Sequence, residues 1–310
     1  MRVGKYETIP YDCTIYNRML RLAPDGTIMP RFIRYNEDMH LTDTHCHIHE
    51  ALDKFVLNTE TRKKYEKAGS PQPDDIIKAA LKADVDRMIC VGTTVEDSAY
   101  AVDFVASRDH VWASIGIHPH EAKEYVDDPE ALQRFAGLAS QSKVVAIGEC
   151  GLDYFYGHSS KEDQERILRF QLELALKHDL PVIFHVRDAF DDFWPIFDDY
   201  EGVRGVIHSF SAGTRELAEI LKRGLYVGLN GIMTFAKSSE QLNSGKAVPS
   251  DRLLLETDAP FLTPDPYRGS ICEPKHVRIT AEFLATQRGE TLDQIAAYTT
   301  ANAERVFKLR

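Results

Sequence analysis

The chain has 310 residues, of which 43% are hydrophobic and 27% are charged, a composition that excludes intrinsic disorder, a collagen-like repeat and a coiled coil. Its 37 basic and 48 acidic residues give a net charge of −11, which argues against a protein that coats DNA or a membrane. A nuclease is not excluded, because bound divalent cations reverse the sign of the field inside a local cleft.

The first 38 residues form a segment of their own, which we treat as an N-terminal extension ahead of one domain at residues 39–310. Two apolar runs in this segment flank the turn residues Pro24-Asp25-Gly26, a pattern typical of a β-hairpin. We expect a hairpin that packs on the following domain. An arm that gates the substrate or docks a partner is the alternative.

Eight short apolar runs, most of them rich in β-branched residues, follow in chain order and alternate with segments of helical period. These runs lie near Met39–His47 and at Asp86–Gly92, Val111–Pro119, Lys143–Gly151, Pro181–Val186, Arg204–Phe210, Leu225–Gly231 and Arg252–Pro260. Helical segments include residues 74–85, 128–141, 162–180, 214–224, 276–287 and 291–309. Eight strand–helix units predict an α/β fold, a (β/α)8 barrel.

Ionisable residues stand at the ends of most of the predicted strands. In a (β/α)8 barrel the carboxyl ends of all strands meet at one face, so these side chains should converge. Imidazoles and carboxylates are ligands for zinc and other divalent metals, and an incomplete set leaves positions for water and substrate. The sequence therefore predicts a metal site built from His45, His47, Glu149, His185, His208 and Asp258.

Seven sequence blocks resemble, in order and spacing, the signature of TatD-like metal-dependent deoxyribonucleases. They are HCH after TD, GIHPHEA, VVAIGECGLDY, QLELALKHDLPVIFHVRDA, GVIHSFSAG, YVGLNG and LLLETDAPFL, and the resemblance runs from Leu41 to Phe307. It implies a TIM barrel of the amidohydrolase superfamily with two divalent ions (Zn, Mg or Mn). By that resemblance, His45, His47 and Asp258 hold one ion and His185 and His208 the other, with Glu149 shared.

This resemblance implies an exonuclease-like deoxyribonuclease that acts on DNA, single-stranded or at 3′ ends. We expect Asp258 and Glu149 to be the catalytic carboxylates, with Asp258 as general base. Arg187 and Arg268 are candidate phosphate contacts, with surface ion pairs as the alternative. Further candidates for substrate contact, for which structural roles are the alternative, are His118, His120 and Tyr154.

Two departures from the family pattern concern the mouth of the site. Ile48-His49 stands where the family often has Leu-Asp, which adds an imidazole that we expect near the mouth. Ser270-Ile271-Cys272 replaces the usual basic-Asn pair after the kept PYRG motif, so the expected charged rim is weaker.

Other functions on the same barrel are a deacylase, an esterase or lactonase, and a non-catalytic scaffold. Many two-metal relatives of that kind bridge their ions with a modified lysine. Here Glu149 ends the fourth barrel strand, whereas Lys143 lies at its opposite end, which argues against a modified lysine as the bridge and leaves a Glu-bridged esterase or deacylase open.

The five cysteines are an odd number without a C-x-x-C pair, so we expect reduced thiols rather than disulfides or a thiolate zinc site. The first residues lack the apolar run of a signal peptide, and no apolar stretch is long enough for a membrane span. These features favour a cytoplasmic protein without a membrane partner.

Overall fold

The computed structural model describes residues 20–22, 28–30, 39–51 and 60–309, and the chain divides into two units, residues 1–38 and 39–310. In the first unit, β1 (Leu20–Leu22) pairs with β2 (Ile28–Pro30) in antiparallel fashion. The pairing agrees with the predicted hairpin. The turn and the remaining residues of both predicted strands lie outside the described residues.

The second unit contains eight parallel strands that pair in chain order, so each strand lies next to the one that precedes it. They are β3 (Leu41–Cys46), β4 (Val85–Val91), β5 (Val111–Ile115), β6 (Val144–Asp153), β7 (Val182–Arg187), β8 (Gly205–Ile207), β9 (Tyr226–Leu229) and β10 (Leu253–Leu255). Each matches one predicted run, and the predicted (β/α)8 barrel is confirmed.

Helices connect consecutive strands and surround the barrel. The α-helices are α1 (Glu60–Lys67), α2 (Pro73–Leu81), α3 (Val95–Val105), α4 (Ala122–Tyr125), α5 (Pro129–Leu138), α6 (Lys161–His178), α7 (Phe190–Asp198), α8 (Thr214–Lys222), α9 (Ser239–Lys246), α10 (Val277–Arg288) and α11 (Leu292–Phe307). Short 3₁₀ helices lie at Ile48–Ala51, Pro119–Glu121, Gly231–Phe235 and Pro274–His276. No helix in the described ranges is both long and apolar enough to cross a membrane.

The first and last barrel strands meet at their carboxyl ends. Cys46 forms a parallel bridge with Ala259, and the His47 N–H donates to the Ala259 carbonyl over 2.8 Å. The Asp258 N–H donates in return to the His45 carbonyl, also over 2.8 Å. These bonds hold the turn after β10 against the end of β3.

Several strands are shorter than predicted because the chain turns where the polar residues begin. β8 ends at Ile207 and β10 at Leu255, and the left-handed residues Ser209 (φ 51°) and Asp258 (φ 64°) follow them. Polar side chains therefore lie on turns just beyond the strands. Apolar side chains such as Ile89 fill a cluster that packs against the end of α11.

Candidate metal centre

The six side chains predicted as metal ligands all lie at the carboxyl face of the barrel. His45 is in β3, Glu149 in β6 and His185 in β7. The other three, His47, His208 and Asp258, follow β3, β8 and β10. His47, Glu149, His185, His208 and Asp258 line one cavity of about 990 Å3, and His45 is fully buried beside them.

On one side of this cavity, His45, His47 and Asp258 gather around Glu149. His45 Nε2 lies 3.3 Å from His47 Nε2 and 3.3 Å from Glu149 Oε2. Asp258 Oδ1 lies 3.5 Å from His47 Nε2. His45, His47 and Glu149 can each offer one atom to a common ion, since those atoms lie within 4.8 Å of one another.

On the other side, Glu149 meets His185 and His118. Glu149 Oε1 lies 2.6 Å from His185 Nδ1 and 3.5 Å from His118 Nε2, and the two imidazole nitrogens are 3.3 Å apart. These three residues form a second group of suitable ligand atoms. The carboxylate of Glu149 thus faces both groups, one through each oxygen.

His208 lies between the two groups and is held by Glu256. The His208 and His45 rings are stacked, with centroids 3.6 Å apart. Nε2 of His208 is 3.7 Å from Glu149 and 3.9 Å from Asp258, while Nδ1 is 3.0 Å from Glu256 Oε1. The same Glu256 oxygen accepts the Ser209 N–H over 2.6 Å. Glu256 therefore orients His208 from behind.

Glycines make room for the backbone around Glu149. A Cβ on Gly116 would collide with the backbone of Glu149, and a Cβ on Gly151 would collide with the backbone of His185. Gly151 also has φ 153°, a conformation that L side chains rarely adopt. Strands β5, β6 and β7 can therefore approach closely enough to bring their ligands together.

The cavity stabilises positive charge. Burial opposes protonation of His185 and His208, but hydrogen bonds and charges from the neighbouring carboxylates raise the pKa of His185 to about 9 and that of His208 to about 10. Burial likewise opposes protonation of His47, yet Asp258 raises its pKa to about 9. For His118, burial dominates and lowers the pKa to about 4. Divalent ions would supply the positive charge that these carboxylates favour.

The donor set fits divalent ions. Nitrogen atoms of neighbouring imidazoles face each other at 3.3 Å, in the pairs His45–His47 and His118–His185. His45 Nδ1 is buried and has no hydrogen-bond partner among the described residues. Imidazole nitrogens and carboxylate oxygens that converge in this way can serve as ligands to a cation, and their mixture suits zinc and manganese.

A buried aspartate, Asp153, holds His185 and His120 in place. Its Oδ2 accepts hydrogen bonds from His185 Nε2 at 2.9 Å and His120 Nε2 at 3.0 Å. Burial favours the protonated acid, but these bonds hold the pKa of Asp153 well below its usual range. Asp153 was not among the residues predicted from the sequence, although it shares a strand face with Glu149, four residues earlier on β6.

The predicted substrate residues fall into different environments. Arg187 lines the cavity, and so do His118 and His120. Tyr154 lines a neighbouring cavity of about 520 Å3, where Lys161 covers its ring at 3.7 Å. Arg268 lies outside the cavity lining, with its guanidinium 3.6 Å from the ring centroid of Phe235 on the wall.

The expectation that His49 adds an imidazole at the mouth was wrong. Its side chain is fully buried, and its Nε2 pairs with Asp97 Oδ1 at 2.9 Å. The reason is the 3₁₀ helix Ile48–Ala51, which turns the chain inward directly after His47. Asp97 also accepts the Thr93 N–H over 2.8 Å. His49 therefore supports the strand ends from below.

Comparison with known proteins gives consistent results. A family model described as "TatD related DNase" matches residues 42–308. The uncharacterized metal-dependent hydrolase YabD of Bacillus subtilis is 35% identical over 271 residues, covering 87% of this chain and 99% of YabD. The 3′-5′ ssDNA/RNA exonuclease TatD of Salmonella typhimurium is 33% identical over 244 residues, covering 76% and 93% of the two chains.

Solved structures share the fold. The TatD homologue YjjV of Escherichia coli superposes with a TM-score of 0.74 at 27% identity, covering 87% of this chain and 98% of YjjV. A TatD-family hydrolase from Entamoeba histolytica gives a TM-score of 0.76 at 23% identity, over 88% and 99% of the two chains.

Proposed function

We propose, from the premise that this chain belongs to the TatD-related DNase family, that it is an exonuclease that removes nucleotides from single-stranded DNA. As a member of that family it is a metal-dependent hydrolase. The observation that carries the proposal is the position of Glu149, whose two oxygens face two imidazole groups in one open cavity. Such an arrangement suits two neighbouring ions of the kind that a two-metal phosphodiesterase uses.

Two divalent ions, with Zn, Mg and Mn as the alternatives, would be held by these groups. We assign His45, His47 and Asp258 to one ion and His185 and His208 to the other, with Glu149 shared. The contacts of His118 with Glu149 and His185 support it as a further ligand beside His185. When bound, such ions lower the pKa of water and offset the charge of the phosphodiester.

The protein's own side chains then position the water and accept its proton. The side chain of Asp258 is 17% exposed at the cavity, which gives it access to a water molecule, and we assign it as the general base. Burial raises the pKa of Asp258, but the neighbouring histidines lower it by more. The pKa of Asp258 therefore lies below its ordinary value. It is therefore an acceptor at neutral pH.

Contacts to the substrate come from the cavity wall. Arg187 and His120 line the cavity beside the ligands, which supports contacts with phosphate oxygens or with the sugar. Arg268 would reach a phosphate only at the rim, where it covers Phe235. Tyr154 lines the neighbouring cavity, which favours a structural role over contact with the substrate.

The choice of DNA as partner, with cleavage from the 3′ end, has the support of a relative whose name is 3′-5′ ssDNA/RNA exonuclease. The net charge of −11 repels a polyanion. Productive binding therefore depends on ions in the cleft, and RNA is a second polymer to be tested beside DNA. The cytoplasmic location expected from the sequence stays a prediction.

The test uses single-stranded DNA labelled at either end, incubated with Mg, Mn or Zn and with a chelator. We expect the 3′ label to be lost before the 5′ label, and only when divalent ions are present. Glu149→Gln and His185→Ala should each lose roughly a hundredfold or more in rate, with an unchanged circular dichroism spectrum. His110→Ala, an exposed histidine before β5, is the control and should keep full activity.

The rival deacylase, esterase or lactonase is examined in parallel with p-nitrophenyl esters and a p-nitrophenyl phosphodiester. Ion-dependent ester hydrolysis with no cleavage of DNA or RNA would contradict the nuclease proposal. Tight DNA binding in chelator would contradict the ion-centred cleft, and inactivity on every substrate would favour a scaffold.

A further inference from the structure

Two exposed aromatic side chains are in contact with each other, and one of them, Tyr156, lines the cavity. Phe155 is 58% exposed and Tyr156 is 52% exposed, and their rings meet edge to face with centroids 4.9 Å apart. Among the described residues, the other exposed large hydrophobic side chains are Leu81, Leu176 and Tyr267. Adjacent exposed aromatics are costly to solvate and typically mark a binding surface.

The loop that carries these rings is fixed from below. The N–H groups of Phe155 and Tyr156 both donate to Asp153 Oδ1 over 3.0 Å, and Asp153 is fully buried. The Tyr156 ring also stacks on His158, with centroids 5.6 Å apart and planes 14° from parallel. The rings are therefore held in place and offer a preformed surface.

Arg187 completes this surface. Its guanidinium carbon lies 4.1 Å from the ring centroid of Phe155 and 4.8 Å from that of Tyr156. Arg187 is exposed and has no acidic partner within ion-pair distance among the described residues. Its charge is thus available to an anion that arrives beside the rings.

The surface is continuous with the metal centre. The Tyr156 ring centroid lies 5.3 Å from that of His120, and His120 shares the Asp153 carboxylate with His185. Tyr156 and Arg187 line the same cavity as Glu149. A molecule whose phosphodiester lies at Glu149 would therefore have its next group at these rings.

We propose that Phe155, Tyr156 and Arg187 form a stacking platform for the unpaired nucleobase next to the bond that is cut, with the Arg187 charge directed to the adjoining phosphate. The proposal rests on the proposed nuclease function and explains how the enzyme would distinguish single-stranded from double-stranded substrates. An aromatic face accepts every base, so the platform gives little sequence preference. A base inside a duplex is already stacked on both faces, so the platform selects single strands.

The experiment is an abasic scan on a single-stranded oligonucleotide. One abasic residue is moved through the positions at the end that is degraded, and the KM of the full chain with its ions is measured for each substrate. At the position that meets the platform, we expect KM to rise roughly 5- to 150-fold, the value of one stacked base. A uniform KM with normal cleavage overturns the platform and leaves the nuclease function intact, whereas no cleavage of any oligonucleotide overturns the nuclease function itself.

Variants locate the effect on the protein. In Phe155→Ala and in Tyr156→Ala, the abasic penalty should shrink severalfold, because each variant removes one of the two rings that the base contacts. Tyr267→Ala removes another exposed aromatic that lies outside the cavity lining, and it should keep the full penalty. Equal penalties in all three variants would overturn the assignment to these rings.

Discussion

The carboxylate of Asp153 has both of its oxygens engaged in different tasks. Oδ2 accepts from His185 and His120, while Oδ1 accepts from the backbone of Phe155 and Tyr156. Because Nε2 of His185 is bound to Asp153, the ring presents Nδ1 to Glu149 and to the ion site. Such carboxylate–histidine pairs fix the orientation of a metal ligand and raise its basicity.

We predict that Asp153→Asn weakens ion binding. The amide places a donor where two imidazole N–H groups now point, so His185 should lose its fixed orientation. Ion affinity measured by calorimetry should fall about 10- to 100-fold, with a higher KM for oligonucleotides. Asp251→Asn, an exposed aspartate paired with Arg252, is the control. Wild-type ion affinity in Asp153→Asn would show that His185 needs no such support.

Helix α6 supports the site face through two buried glutamines. Gln171 bonds both backbone groups of Ile117, accepting from its N–H over 2.8 Å and donating to its carbonyl over 3.0 Å. Gln164 accepts the Asp153 N–H over 2.8 Å. Ile117 directly precedes His118, so this helix fixes the loops that follow β5 and β6. The two glutamines thereby supply hydrogen-bond partners to backbone groups of the loops next to the site, which would otherwise be buried without a partner.

Replacement of Gln171 by Leu should lower the free energy of unfolding by about 2–4 kcal/mol, because two buried backbone groups of Ile117 lose their partners. Urea denaturation monitored by fluorescence measures this change. Gln133→Leu, on the exposed surface of α5, provides the comparison and should change stability by less than about 0.5 kcal/mol. Similar small effects in both variants would contradict the supporting role of Gln171.

At the scale of the whole molecule, every proposed metal ligand belongs to residues 39–310. The family model begins at residue 42, so the extension has no counterpart in it. That residues 1–38 are an extension outside the hydrolase domain stays a prediction. Removal of residues 1–38 tests whether the extension contributes to the metal site.

A chain that begins at residue 39 should bind the same number of ions with unchanged affinity. Elemental analysis of the purified protein and a calorimetric titration measure both quantities, with the full chain as the reference. We expect this because all six proposed ligands lie within residues 42–308, the range that the family model matches. A loss of even one ion per chain would assign the extension a part in the site.

Much of this architecture could be predicted from periodicity and from the polar ends of the strands. The eight strands are largely apolar and alternate with helical segments, and a barrel brings their ends to one face whatever the details of each loop. Asp153 escaped notice because β6 runs past its predicted end at Gly151. His49 was misplaced because the 3₁₀ helix Ile48–Ala51 buries it, and the contact of Arg187 with Phe155 joins the end of β7 to the turn after β6. Contacts of that kind depend on three-dimensional packing, which a linear pattern does not contain.

The bonds between positions 45–47 and 258–259 have a consequence for the newly made protein. Ligands from the first strand reach their partners at the last strand only after nearly the whole barrel has left the ribosome. A nascent chain therefore carries only fragments of the proposed metal centre, and we expect hydrolase activity to appear only once β10 and the turn after it have been synthesised.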